Sequence, residues 1–540
     1  MTNTKEELFT SFIKIISATN GLSLNNTLEL LERSNHLSKQ NKSLIKEFQS
    51  MLWRFQGDLE TMESLLQHPV SDALFSFFQK FPIPYCEEHI HLTGSLTPEF
   101  VWEHLAPLLN SKNKELYLQK IRSVYEDNNI EIKNENDVKK LIQLKPNEEF
   151  SQYLKILYLP KLILKNRLIH ELSAYHMART LFENFNVGSI RLKFTLSRST
   201  GIESEKIPGL ENITQEDVVL GLYSGFAKYK SHNPKFNFTL TPCFRKEPEF
   251  FDQQLFDSKK DHFAHQVQTI LKLLDKYPFL KDKLCEVDTV GDEKQLYRKS
   301  HFSEMRDGFR KLQYRGFKIK SHHGETWNIL RTGVQSVDNA MNIWHIDTLE
   351  HGISLGINPN FYFHRIYQHI IKINQKGEKI QDNSLYFREL NDMKWESNEV
   401  KKKIILGIPL SIEEQKSFLK TKFHTAREIE HYQHDVLNRM INKKVSLVAL
   451  PSSNLKLTGS FPDFKDHPFS WWEKKGVKLG IGTDNYITLN TNFIKEMLIL
   501  LFSEPENLKI TKLLIIATKE TRRPYISHLL WEMRRSIEND

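Results

Sequence analysis

The spacing of apolar residues changes near residue 81. Before it they recur at helical intervals: Leu8, Phe12, Ile15 and Ile16, then Leu28, Leu30 and Leu31, then Phe48, Leu52 and Phe55, then Leu65, Leu66, Leu74, Phe77 and Phe78. Asn and Ser punctuate these groups, which predicts three or four short helices and no strand over residues 1–80. Beyond residue 81, apolar and β-branched residues gather in short runs at 83–92, 188–196, 236–244, 284–290, 316–322, 341–351, 444–450 and 477–483. Segments of helical spacing lie between them, as at 169–185, 215–230, 261–277 and 303–314. Strands alternating with helices imply parallel βα units, and eight of them predict an α/β fold closed as a (β/α)8 TIM-type barrel.

Two spacers are too long for one crossover helix. Residues 97–186, after the first strand, and 353–442, after the sixth, predict helical insertions over one face of the barrel. The chain thus divides into a helical extension, 1–80, and a barrel, 81–540. The extension either packs on the barrel or offers an apolar surface to a protein partner or a second copy, and the pattern leaves both open.

Composition excludes classes more than it selects one. With 39% hydrophobic and 26% charged residues, the chain is neither disordered nor fibrous. Lys and Arg number 75 against 67 Asp and Glu, a net +8. No block of five basic residues occurs, so no dedicated nucleic-acid arm is expected. The longest apolar stretches, such as 497–502, fall far short of the ~20 residues of a membrane span. Cys86, Cys243 and Cys285 form no C-x-x-C pair and read as reduced core residues of an intracellular protein. The N-terminal segment shows no signal-peptide pattern, and a cytoplasmic location is expected.

Candidate chemistry collects at the ends of the strands. The first run ends in Glu88-His89-Ile90-His91, and residues two apart on a strand face the same way, so His89 and His91 present two imidazoles to one centre. The fifth ends in His322-His323-Gly324-Glu325, adding a third imidazole and a carboxylate, and the sixth in Glu350-His351-Gly352. The eighth ends in Thr483-Asp484-Asn485. Catalytic groups of barrel enzymes sit at C-terminal strand ends. Three imidazoles and a carboxylate suit a divalent ion, zinc favoured, with a position left for an activated water. His351 would then orient that water, and Glu325 would donate a proton to the leaving side of the substrate.

His89-x-His91-x-x-Gly94, Val290-Gly291-Asp292-Glu293, His322-x-Gly324-Glu325, His351-Gly352, Pro451-Ser452-Ser453-Asn454 and Thr483-Asp484 together resemble, in order and strand placement, the adenosine deaminase family of the amidohydrolase superfamily. The segment Pro242 to Pro248 is similar to a further strand-three motif, and the resemblance spans roughly residues 82–530. It implies one zinc-type ion held by His89, His91, His322 and Asp484, and a hydroxide that attacks C6 of adenine and releases ammonia. It further implies that protonated Glu325 bonds ring N1, that His351 and Asp484 position the water, that Gly291 gives its N–H to N3, and that Asn485 contacts N7.

The chain departs from that pattern at three places. Asn485 stands where the family has a second Asp, and its NH2 can still donate to N7. His323 adjoins His322, and the His-x-Gly-Glu spacing favours His322 as the ligand. Thr93 replaces the acid that binds a ribose 5'-hydroxyl, which tilts the expected substrate toward a phosphorylated adenine such as AMP or dAMP, with nucleosides still open. Lys193 and Arg198, and Arg245 and Lys246, lie on the face expected to meet a phosphate, and surface or structural ion pairs explain them equally well. Another amidohydrolase activity, or a metal-retaining scaffold or ligand sensor, are the competing readings, and intact Glu325 and His351 argue against the scaffold. Purine salvage and antiviral defence are both open as roles.

Overall fold

The structure is a computed structural model that describes residues 2–19, 22–35, 37–145, 148, 150–196, 213–459 and 461–539. Among the described residues, β1 Tyr85–His91, β2 Val187–Thr195, β3 Asn237–Arg245, β4 Glu286–Val290, β5 Lys318–His323, β6 Thr348–His351, β7 Ser446–Ala449 and β8 Leu479–Ile481 form one sheet in sequence order. Each pairs in parallel with the next. A parallel bridge between Ile90 and Asp484 returns β8 to β1, so the expected (β/α)8 barrel is formed. At that seam the His91 N–H donates to the Asp484 carbonyl (2.8 Å) and the Asp484 N–H to the His89 carbonyl (2.9 Å).

One expected run is corrected. Residues 341–351 do not form a single strand: Ala340–Trp344 is a π-helical turn, and only Thr348–His351 is extended. Ala340, Met341 and Trp344 are buried at helical spacing, with Trp344 against Phe302 and Phe309, and the turn ends at His345 in a left-handed conformation. An apolar run this short does not distinguish a buried helical turn from a strand.

The extension consists of α1 Thr2–Thr19, α2 Leu24–Arg33, α3 Lys39–Gln56, α4 Met62–Gln67 and α5 Pro69–Gln79. Ser23, Ser38 and Thr61 cap the second to fourth of these with side-chain oxygens, satisfying amides that the first turn leaves unbonded. Its apolar faces join the barrel's hydrophobic core without a break; Phe48 meets Phe502 edge-on at 5.3 Å. The spacer after β1 carries α6 Pro98–Leu109, α7 Lys114–Tyr125, α8 Glu135–Ile142, α9 Phe150–Ile156, α10 Tyr158–Ile163 and α11 Arg167–Phe185. The spacer after β6 carries four helices, ending in the 31-residue Ile412–Asn442. Of the cysteines, Cys243 is buried and Cys86 and Cys285 are half-buried, all free. No helix among the described residues is long and apolar enough to cross a membrane.

The barrel interior is charged. Side chains two apart on a strand share a face, which brings Arg191 and Lys193 of β2, Glu286 and Asp288 of β4, Lys320 and His322 of β5 and Glu350 of β6 together as ion pairs and hydrogen bonds. Val, Ile and Leu fill these layers in most barrels of this type.

Candidate functional site

A cavity of about 150 Å³ opens at the C-terminal ends of the strands. His91, His322, Glu325, His351 and Asp484 line it, with Thr93 and Gly291. His89 lies just beneath, wholly buried. The Nε2 atoms of His89 and His91 are 3.2 Å apart, those of His91 and His322 3.3 Å, and Asp484 Oδ1 is 3.4 Å from His91 Nε2 and 3.7 Å from His89 Nε2.

Local chain geometry explains why these residues meet. The register of β1 against β2 slips between Glu87 and Ile90, a bulge that re-aims the histidine end of the strand. The Glu87 carboxylate accepts the His89 N–H (3.0 Å) together with the Thr483 N–H and hydroxyl (3.1 and 2.8 Å), fastening β1 to the loop that carries Asp484. On β5, His322 faces the interior. His323 faces outward against Phe302 and Trp344, its Nδ1 2.6 Å from Ser321 Oγ. His322, not His323, therefore belongs to the cluster. His351 and Asp484 have φ of 70° and 64°, a left-handed conformation that non-glycine residues rarely adopt and that concentrates at functional sites. That turn of the backbone lets Glu350 and His351, adjacent in sequence, both point into the barrel.

The cluster fits a metal ion. Glu350 Oε2 lies 2.7 Å from His89 Nδ1 and Asp288 Oδ1 lies 3.1 Å from His322 Nδ1. Carboxylates only accept, so each Nδ1 carries the hydrogen and each Nε2 turns a lone pair toward its neighbours. Burial, reinforced by neighbouring cations and imidazoles, holds His89, His91 and His322 well below the ordinary histidine range, so unprotonated nitrogens converge on one point. A tetrahedral ion with ~2.1 Å bonds has ligand–ligand edges of about 3.4 Å, close to the separations found here. His89, His351 and Asp484 form a second, overlapping group within reach of one ion.

Glu325 sits across the cavity. Glu293 accepts the N–H groups of Gly324, Glu325 and Thr326 at 3.0, 2.6 and 2.8 Å and holds the loop that presents it. Burial, and then the Asp484 charge, push the Glu325 carboxyl up to about 8, so it keeps its proton at neutral pH. His351 Nε2 is 3.8 Å from Glu325 Oε2, buried and without a hydrogen-bond partner, while its Nδ1 is 3.0 Å from the Asn454 amide. Ser453 donates to Asp484 Oδ2 at 2.5 Å.

Several expected contacts are placed differently. Asn485 is wholly buried and does not line the cavity; its NH2 donates to the Tyr153 hydroxyl and to Asp484 Oδ1 (2.6 Å), and a Cβ at Gly94 would overlap it. Tyr153, from α9, takes the cavity wall in its place. Lys193 touches the cavity floor but is wholly buried and locked between Asp288 and Glu350, and Lys246 donates to the His322 carbonyl, so neither is an exposed phosphate contact. Arg245 does line the cavity, paired with Glu247 (2.6 Å) and stacked on Phe250, and Lys161 of α10 joins it there. Arg198 lies outside the described residues. Gly291, with φ of 108°, lines the wall where a side chain would strike Glu247.

The fold and cavity define a parallel (β/α)8 barrel with a histidine–carboxylate cluster at its C-terminal pole. No family model and no curated protein sequence matches the chain. Among solved structures, an adenine deaminase from Arthrobacter aurescens is similar to it, at 12% identity and TM-score 0.48, over 84% of this chain and 99% of that one. So is an N6-methyl-AMP deaminase from Arabidopsis thaliana, at 12% identity and TM-score 0.47, over 86% and 98%. An amidohydrolase from Burkholderia ambifaria with bound Zn aligns at 11% identity and TM-score 0.46, over 85% and 94%.

Proposed function

We propose that this protein is a metal-dependent hydrolase that replaces the 6-amino group of an adenine nucleoside or nucleotide with oxygen, releasing ammonia. The observation that carries the reading is the pairing, in one cavity, of three imidazole nitrogens and Asp484 spaced for a divalent ion with a carboxyl, Glu325, that keeps its proton at neutral pH. His89, His91, His322 and Asp484 would hold the ion, with zinc preferred by this N/O donor set. When bound, it supplies Lewis acidity that brings the pKa of a water toward neutrality. Glu325 hydrogen-bonds ring N1 and passes its proton there as water adds to C6, which makes that carbon electrophilic. His351 and Asp484 orient the water and take up its two protons; one passes to the amino group, which leaves as ammonia when the C6–O double bond forms, and the other restores Glu325. Gly291 offers its backbone to the purine ring.

A phosphorylated substrate is the narrower reading. Thr93, a neutral hydroxyl where the resembled pattern has an acid, lines the cavity together with Arg245 and Lys161. Incubating the zinc-loaded protein with adenosine, deoxyadenosine, AMP, dAMP and ATP, and following ammonia and product mass, tests both levels. Turnover of AMP or dAMP ahead of the nucleosides is expected. Preference for nucleosides would sink the phosphate reading alone, whereas a metal-bound protein that turns over none of them would favour another amidohydrolase activity or a ligand-binding scaffold.

A further inference from the structure

Lys193 is 0% exposed, yet among the described residues it is the one ammonium that joins two arms of the cluster. Its Nζ pairs with Asp288 Oδ2 and, at 3.0 Å, with Glu350 Oε1. The remaining oxygens of the same carboxylates meet His322 Nδ1 at 3.1 Å and His89 Nδ1 at 2.7 Å. A cation on β2 is thereby connected to imidazoles on β5 and β1 through carboxylates on β4 and β6.

The geometry points to Lys193 as the positioning residue of the histidine cluster: it clamps Asp288 and Glu350, and these fix the rotation and tautomer of His322 and His89, leaving both Nε2 atoms aimed at one point. This inference rests on the reading of the cluster as a metal centre. Two buried carboxylates cannot stand in a dry interior without cations, and here Lys193 and Lys320 balance them two against two. Lys320 reaches only Glu350, at 3.1 Å. Among the described residues, Lys193 is the sole ammonium bonded to Asp288, so its loss falls hardest on the Asp288–His322 arm. Outer hydrogen-bond partners of metal-binding histidines typically change metal affinity by about 10- to 100-fold.

Charge alone predicts the opposite sign. Removing a buried cation near a cation site relieves repulsion and should tighten binding, so a loss of affinity on removing Lys193 distinguishes positioning from electrostatics. The test is Co2+ binding to the metal-stripped protein, read both as affinity and as the visible d–d spectrum, which reports ligand geometry independently of any substrate. Lys193→Met is expected to weaken binding about 10- to 100-fold and to shift the bands. Lys193→Arg, which can still bridge two carboxylates, should recover most of that affinity. Wild-type or tighter affinity with unchanged bands in Lys193→Met overturns the clamp. Should Lys193→Met fail to fold, Asp288→Asn tests the same arm, with weakened binding expected and unchanged binding contrary. A wild-type protein that binds no Co2+ overturns the metal-centre reading and the clamp with it, whereas unaffected variants of a metal-binding protein overturn the clamp alone.

Discussion

The floor and the roof of the cavity are built from different material. The floor consists of the ends of β1, β5, β6 and β8, and its groups are held by buried partners: Glu350 for His89, Asp288 for His322, Asn454 for His351 and Ser453 for Asp484. The roof comes from α9 and α10, helices of seven and six residues in the insertion after β1, which supply Tyr153, Leu154 and Lys161, and from Leu157 between them. A rigid floor can fix reacting atoms to fractions of an ångström, while a roof of short helices can vary with little effect on the barrel beneath. On the proposed function, the chemistry belongs to the floor, and discrimination among substrates is shared by the roof and the strand-end residues Thr93 and Arg245.

The contrast is sharpest when the floor is emptied. Chelating the metal should abolish turnover and lower the thermal midpoint, and restoring Zn2+ at a thousand times its Kd should return about 4 kcal/mol of stability; a midpoint indifferent to metal would mean that the floor holds none. Next in size, Glu325→Gln should lower kcat by about 10²- to 10⁴-fold while metal content stays unchanged. Because the Glu325 carboxyl is raised to about 8, chiefly by burial, it is protonated below that pH and ionised above it. Activity that needs the proton should fall as pH rises through about 8, and a rate still level well above pH 8 would place the acid elsewhere. On the roof, Leu157→Ala should raise KM several-fold with kcat nearly constant, and an equal fall in kcat would erase the division of labour. Smallest of all, His323→Phe should leave metal binding intact and alter only stability, by about 1 to 2 kcal/mol, whereas His322→Phe should abolish binding.

Part of this arrangement was legible in the sequence. His89 and His91 follow from the period-two rule, and the strand–helix alternation foretold the barrel. Periodicity cannot place His351 or Asp484, because positive φ at both breaks the alternation; their position at strand ends and their membership of the motif set made them recognisable. Lys193 fitted a phosphate contact and a structural ion pair equally well, since a lysine near a strand end gives no sign of the carboxylates that bury it. Asp288 sits two residues before the quoted Val290-Gly291 motif, and its inward face could have been counted from it. Tyr153 carried no signal, because nothing local ties α9 to Asn485 over more than 300 residues of chain. The run at 341–351 was misread because the apolar residues around its start, four of the five from Ala340 to Trp344, fit either a strand or a tight helical turn.

Ammonia release is the most direct readout of the proposed deamination. Metal-loaded wild-type protein incubated with AMP and adenosine should release one ammonia per molecule of inosine-type product, and Glu325→Gln with the same metal content should release almost none. No ammonia from any adenine compound, with the metal demonstrably bound, would contradict it.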